Sequence, residues 1–324
     1  MLASAVRSLF RRSLHPFEAA SAERVSGAGD FVEPNAEAAA GLVPNGGVPK
    51  GSVPNGGVAS GGAAVRTAWS PARLALVHRL WGAGFIFPGG EIETLRMARP
   101  LGISAASSLL IIGVGTGGPA IAVTRNLGVW VTGMDTDPDL LVAAKGLVKR
   151  AQLTKKISIT GWDPDNPNFV EKGHHHCLAL EPFRSARAEP ILHALARGLK
   201  PGGQIVITEL AAPRPLDPAD HTVRRWAELE HRDPANLLAP VAVTRMLGRV
   251  GLDVRIAEDM SQPHLEHALL GWRVMLRDLG RKPSRQEAVP MVAEAELWLL
   301  RRRLIRDGRL RMMRWHAISR VPAV

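Results

Sequence analysis

Leu109-Leu-Ile-Ile-Gly-Val-Gly-Thr-Gly-Gly118 decides the fold. Four consecutive apolar residues after Ser107 and Ser108 fit a strand buried on both faces. Gly113 and Gly115 let the backbone turn tightly and approach a ligand with no Cβ in the way. The helix that follows opens with free N–H groups, which suit an anionic or polar ligand. Gly113, Gly115 and Gly118 also satisfy the GxGxxG fingerprint of dinucleotide sites, so the stretch alone does not name its ligand. Four glycines at one junction carry a steep entropic cost, which argues for a ligand rather than a bare turn.

Outward from this point, the pattern alternates helix and strand. Ser70 can cap a helix over 71–80 with Pro71 in its first turn, and a second helix is expected at 91–99. The strand at 107–112 is followed by a helix at 117–126 and a strand at 129–134. A helix at 138–150 and strands at 156–160 and 175–180 come next. A helix at 186–198 leads to a strand at 203–209. Beyond lie helices at 219–230 and 240–250, a strand at 252–257, helices at 263–279 and 285–306, and a last strand at 310–318. Strands separated by helices of this length imply a parallel sheet covered on both faces, a doubly wound, Rossmann-like α/β domain.

Two further stretches carry chemistry. Val131-Thr-Gly-Met-Asp-Thr-Asp-Pro138 places Asp135 at the end of the second strand, 22 residues beyond Gly113. An acid there accepts hydrogen bonds from ribose hydroxyls in nucleotide-binding folds. Asp137, directly before Pro138, suits the helix cap and leaves Asp135 for the ligand. Leu199-Lys-Pro-Gly-Gly-Gln-Ile-Val-Ile-Thr-Glu209 reads as a helix end, a Pro-Gly-Gly turn and a buried strand. With these three motifs in this order and at these separations, the chain resembles the class I S-adenosylmethionine-dependent methyltransferases, best over residues 81–210.

The resemblance implies the cofactor S-adenosyl-L-methionine and a mostly parallel sheet with an antiparallel last strand. It matches Gly113, Gly115 and Gly117 to the loop facing the methionine moiety, and Asp135 to the ribose acid with Thr136 beside the adenine. Asp163, after the third strand, matches a residue that binds the adenine amino group, with Trp162 its neighbour. Leu180 and Glu181 follow the fourth strand, where the family lines the methyl-transfer site. Leu80-Trp-Gly-Ala-Gly-Phe-Ile-Phe-Pro-Gly-Gly90 resembles the lid segment of phosphoethanolamine and glycine-betaine-pathway enzymes, so Trp81, Phe85 and Ile86 are expected in a lid. Where a base is needed, position favours Glu181 and then His176.

The chain departs from the family in three places. Ile111 stands where an acid often precedes the first glycine, the chain has no Tyr, and no His falls near Glu181 or Pro182. Ile111 weakens the expected cofactor affinity without excluding binding, and the missing Tyr and His count against phosphoethanolamine as the substrate. The expected function is methylation of a small molecule or a lipid or quinone precursor. An NAD(P)-dependent oxidoreductase and a methyltransferase-like binding protein without catalysis stay open as alternatives. The run His174-His-His176 invites a metal reading, but neighbours on a strand point to opposite faces and no carboxylate or Cys pair stands at ligand spacing. No metal is expected.

Composition narrows the classes. The chain has 324 residues, 46% hydrophobic, and a single cysteine, Cys177, which excludes a disulfide framework and favours a reducing, cytoplasmic-type compartment. No apolar run reaches the roughly 18–20 residues of a membrane-spanning helix. The net charge is +11, and residues 1–17 and 301–320 hold ten of it, leaving a near-neutral body. This is not the footprint of a nucleic-acid groove. It suits peripheral contact with an anionic membrane. The Arg run 301–303 is expected on a solvated helix face, and Arg311 and Arg314 at a sheet edge. Three regions are expected: a basic amphipathic segment at 1–17, a disordered Gly/Pro/Ala-rich linker at 18–69, and a methyltransferase domain at 70–324 with a lid at 70–100 and a helical insert at 262–309. Oligomeric state is not legible.

Overall fold

The computed structural model describes residues 68–320. The segment expected at 1–17 and nearly all of the expected linker lie outside the described residues. Helix α1 spans Pro71–Trp81 and α2 spans Gly90–Ala98, followed by β1 at Ser108–Ile112, α3 at Gly118–Leu127 and β2 at Trp130–Asp135. Then come α4 at Pro138–Arg150, β3 at Ile157–Gly161, β4 at His174–Leu180, α5 at Ala188–Gly198 and β5 at Leu199–Ala211. The chain continues through α6 at His221–Glu230, α7 at Pro240–Arg249 and β6 at Leu252–Asp259, and ends with α8 at Ser261–Arg277, α9 at Arg285–Arg306 and β7 at Arg311–Ser319.

Local chemistry sets many of these boundaries. Ser70 Oγ accepts the Arg73 N–H at the start of α1, and Asp137 accepts the Asp139 and Leu140 N–H groups ahead of Pro138 in α4. Ser284 and Glu287 form a reciprocal capping box on α9.

The seven strands form one sheet in the order β3-β2-β1-β4-β5-β7-β6. Strands β1 to β5 pair in parallel. Only β7 runs against its neighbours, β5 and β6. Winding proceeds outward from β1 to β3, then returns to β4 and continues the other way. The carboxyl ends of β1 and β4 therefore flank a topological switch point, where open α/β sheets bind ligands.

Alternation along the strands splits the core into two layers. Leu110, Ile112, Cys177, Ile205, Ile207 and Trp315 face α5 and α7. Leu109, Ile111, Leu178 and Val206 face the opposite layer with α2, α3 and α4. A third cluster, including Trp226, Leu265, Leu297 and Met312, joins α6, α8 and α9 beyond the ends of β5 and β7.

Three expectations are corrected here. Arg301 and Arg302 are only 4% and 7% exposed, so the run 301–303 is not a solvated face. Three consecutive helical residues span about 200° of a helix, and α9 is covered by α1, α6 and α8, so part of the run must point inward. Strand β7 lies inside the sheet and not at its edge. Arg314 is accordingly buried and reaches Glu258 on the true edge strand, β6, at 2.7 Å. Finally, β5 begins at Leu199, paired with His174, and the Pro-Gly-Gly segment lies within it at a shift of register rather than ahead of it. Among the described residues, no helix is long and apolar enough to cross a membrane.

Candidate active site

The glycine-rich loop leaves β1 at the switch point. Gly113, Gly115 and Gly117 all have left-handed backbone, with φ of 72°, 58° and 95°, which only glycine adopts at little cost. Gly113 has a second constraint, because a Cβ there would sit 2.2 Å from the Leu180 carbonyl oxygen of β4. The Gly113 and Val114 N–H groups both donate to the Met134 carbonyl, binding the loop to β2.

Asp135 locks the loop from below. Its Oδ2 accepts the Gly115 N–H at 2.9 Å, and its Oδ1 accepts those of Thr136 and Asp137 at 2.8 and 3.2 Å. The carboxylate is buried, and burial pushes its pKa up against the pull of those three N–H groups. A carboxylate offers about four lone-pair sites, so one acceptor site remains.

The segment after α1 covers this loop. Gly118 N–H donates to the Gly84 carbonyl at 2.9 Å, and His78 Nε2 lies 2.9 Å from Thr116 Oγ1. Ile86 lies directly over Gly115, where a Cβ would meet it at 3.0 Å. Behind it, Phe85 packs edge-on against Phe87, and Trp81 edge-on against Trp298 of α9.

Between loop, cover and the helices α6, α8 and α9 lies a cavity of about 280 Å³. Its floor is Gly113, Asp135, Thr136 and Leu180, and Ile86, Phe87, Met97, Met260 and Trp298 supply apolar walls. The remaining wall is a chain of ion pairs. Glu181 Oε2 lies 3.3 Å from Arg232 and 3.6 Å from Arg184. Arg232 also pairs with buried Glu209 at 2.5 Å. Glu230 takes Arg184 on one oxygen and Arg301 on the other, the latter at 2.6 Å. Arg301 stacks on Trp298 at 4.6 Å and reaches His264 Nε2 at 3.0 Å. Arg73 pairs with Glu294 at 2.9 Å.

Of the residues singled out from sequence, the structure brings Gly113, Asp135, Thr136, Leu180, Glu181 and Ile86 together around the cavity. Gly115 and Gly117 shape the loop beneath it, and Trp81 and Phe85 brace the cover from behind. Trp162 and Asp163 stay outside. Trp162 packs on Phe169 at 5.9 Å, and Asp163 caps its own turn by accepting the Asp165 N–H. Only the backbone N–H of Trp162 reaches toward the site, donating to the Asp135 carbonyl at 3.3 Å.

Neither base assignment gains support from its surroundings. Burial alone would raise the Glu181 carboxyl, but Arg184, Arg301 and Arg232 outweigh it and hold the group well below the usual carboxylate range. A carboxylate paired with arginines in this way is a weaker proton acceptor than a free one. His176 lies four residues before Leu180 on β4, roughly 13 Å down the sheet at about 3.3 Å per residue, and does not line the cavity. Arg73, Glu230, His264, Glu294 and Arg301, all at the site, escaped sequence reasoning because no local motif marks them.

A sheet of this order, with a glycine-rich turn after β1 and an acid ending β2, is the fold of the class I S-adenosylmethionine-dependent methyltransferases. Among solved structures, phosphoethanolamine N-methyltransferase 2 of Haemonchus contortus, in complex with S-adenosyl-L-methionine, superposes with a TM-score of 0.70 at 19% identity, over 79% of this chain and 58% of that one. The chain is 28% identical over 192 residues to the sterol 24-C-methyltransferase of Eremothecium gossypii, covering 55% of this chain and 52% of that protein. It is 34% identical over 116 residues to the demethylmenaquinone methyltransferase of Tropheryma whipplei, covering 35% and 46%. The chain thus spans about half the length of these curated relatives. No protein-family model matches it.

Proposed function

We propose that this chain is an S-adenosylmethionine-dependent methyltransferase acting on a small molecule or on a lipid or quinone precursor. The observation that carries the proposal is the cradle at the switch point: three left-handed glycines with Asp135 buried beneath them. When bound, the cofactor supplies the methyl group as an electrophile. The residues present fit it. Asp135 keeps one acceptor site for a ribose hydroxyl, Gly113 opens its backbone to the methionine end, and Thr136 borders the cavity beside them. The turn carrying Trp162 and Asp163 follows β3 beside Asp135, but neither side chain lines the cavity, so neither is assigned to the adenine. Ile86 and Phe87 close the site against water. Glu181, fixed by two arginines, orients bound groups.

Methyl transfer needs alignment more than acid–base groups, and positioning alone can supply several kcal/mol of the barrier. The curated relatives are methyltransferases, so the oxidoreductase alternative draws no support from them. Contact with an anionic membrane then rests on residues 1–17 and on the exposed Arg303, Arg306 and Arg320. In the other basic stretch, Arg301, Arg302 and Arg314 are buried, and Arg309 and Arg311 pair with Asp220 and Asp259.

The test is incubation of the full chain with methyl-labelled S-adenosylmethionine and a total lipid and quinone extract. Label is expected in a product separable from the cofactor. Cofactor binding without any label transfer would favour the inactive binding protein instead.

A further inference from the structure

The second half of the cavity, away from the glycine loop, specifies what it can receive. An ammonium group is best met by a carboxylate whose charge is not already paired, and each glutamate at this end of the cavity is paired with arginine. Both oxygens of Glu93 hold Arg96, each at 2.8 Å. Glu230 gives one oxygen to Arg184 and the other to Arg301. Glu294 accepts Arg73 Nε on Oε2 at 2.9 Å and Trp298 Nε1 on Oε1 at 3.1 Å. Glu181 is committed to two arginines, and Asp135 and Asp137 accept backbone N–H groups.

His264 of α8 has the opposite character. Its Nε2 lies 3.0 Å from Nη1 of Arg301. A guanidinium carries donors and no acceptor, so Nε2 must be the accepting nitrogen and the ring proton must sit on Nδ1. Nδ1 has no hydrogen-bond partner among the described residues, and the ring lines the cavity beside Trp298, with ring centroids 5.3 Å apart. Burial, and Arg301 after it, push the ring's pKa down. The other charged and titratable groups near it are Glu181, which pulls the other way, and His267, itself 3.6 Å from Glu93.

We infer that His264 is a hydrogen-bond donor of the methyl-acceptor subsite, and that the acceptor it receives bears an oxygen there — a phenolate or enolate — and not an ammonium group. This rests on the methyltransferase reading and narrows its substrate class. Arg301 fixes the tautomer, Glu230 fixes Arg301, and Trp298 supports the ring, so the donor is set before substrate arrives. With Nε2 already accepting from Arg301, His264 has no free acceptor for a substrate proton. The acceptor therefore reaches the cavity already ionised, as a phenolate or enolate that has lost its proton to solvent. The apolar walls, Phe87, Met97 and Met260, suit the body of an aromatic or polyprenyl-like molecule better than a short zwitterion.

Two measurements on the full chain test this, the first with S-adenosylhomocysteine bound and the second with methyl-labelled S-adenosylmethionine. In the first, long-range ¹H–¹⁵N spectra of histidine-labelled protein, assigned with His264→Phe, should place the His264 proton on Nδ1 and leave it unchanged from pH 5 to 8. A proton on Nε2, or an imidazolium titrating in that range, overturns the proposal. The second follows label transfer to 1,4-naphthohydroquinone and catechol against ethanolamine and phosphoethanolamine. Transfer to the oxygen acceptors is expected, with KM raised about tenfold or more in His264→Phe and largely restored in His264→Asn, whose amide N–H replaces Nδ1–H. Preferential methylation of the amines, or equal loss in both variants, contradicts it. The spectra decide the matter if no acceptor in this set is methylated. Failure of the wild-type chain to bind S-adenosylhomocysteine at all would instead remove the methyltransferase reading beneath it.

Discussion

Asp135 is asked to do two things with one carboxylate, and its variants should separate them. Three N–H groups depend on it for shape, while the remaining acceptor site is assigned to ribose. Asp135→Ala should therefore weaken S-adenosylhomocysteine binding by about 1.5–3 kcal/mol and also lower the melting temperature, because buried N–H groups lose their acceptor. Calorimetry of binding and of unfolding would register both; a loss of affinity with unchanged stability would mean that the loop is held by other contacts. Glu181 differs. Glu181→Gln leaves Arg184 and Arg232 undercompensated near the cavity wall, so a loss of stability is expected with no change in the shape of the pH–rate profile. Disappearance of a titrating limb in that variant would restore Glu181 as a base. At this scale the sequence was legible where ligand residues are contiguous. Gly113 directly follows one strand and Asp135 ends the next, each beside a turn, and both announce themselves. His264, Glu230 and Arg301 come from three separate helices, and nothing local to any of them signals that they meet.

At the scale of elements, boundaries were readable and sheet position was less so. Helix α4 starts where Asp137 and Pro138 require it, and α9 starts at its capping box, because caps are short-range chemistry. That β7 slots between β5 and β6 depends on long-range pairing, so its arginines looked like edge residues. The inward turn of Arg301 is legible only once Glu230 is known to face it. The cover over the glycine loop makes a prediction of its own. Gly84 has φ of +89°, and a Cβ there would lie 3.0 Å from both Cα and N of Gly118. Gly84→Ala should lift the cover from the loop, at a cost of about 1 kcal/mol or more in stability, and weaken cofactor binding. Wild-type affinity in this variant would show that the cover plays no part in holding the cofactor.

For the whole molecule, acid should be destabilising from near neutrality downward. His78, His174, His176, His264 and His316 all have pKa values pushed down, in each case chiefly by burial. A histidine whose folded pKa is depressed gives its full stability above the unfolded value of about 6.5, and that contribution is lost as pH falls below it. Glu181 adds a loss at lower pH, below about 4.5. Raised Asp135 and Glu209 act in the opposite sense but are outnumbered. The melting temperature should fall between pH 7 and pH 5; a flat or rising profile would contradict the burial assigned to these rings. The central claim is that the switch point holds an adenosyl cofactor and not a nicotinamide one. Isothermal titration of the full chain with S-adenosylhomocysteine and, separately, with NADH tests it most directly. The account predicts saturable one-to-one binding of S-adenosylhomocysteine, weakened at least tenfold by Asp135→Ala, and no heat of binding with NADH. Saturable binding of NADH, or S-adenosylhomocysteine binding indifferent to Asp135, would contradict it.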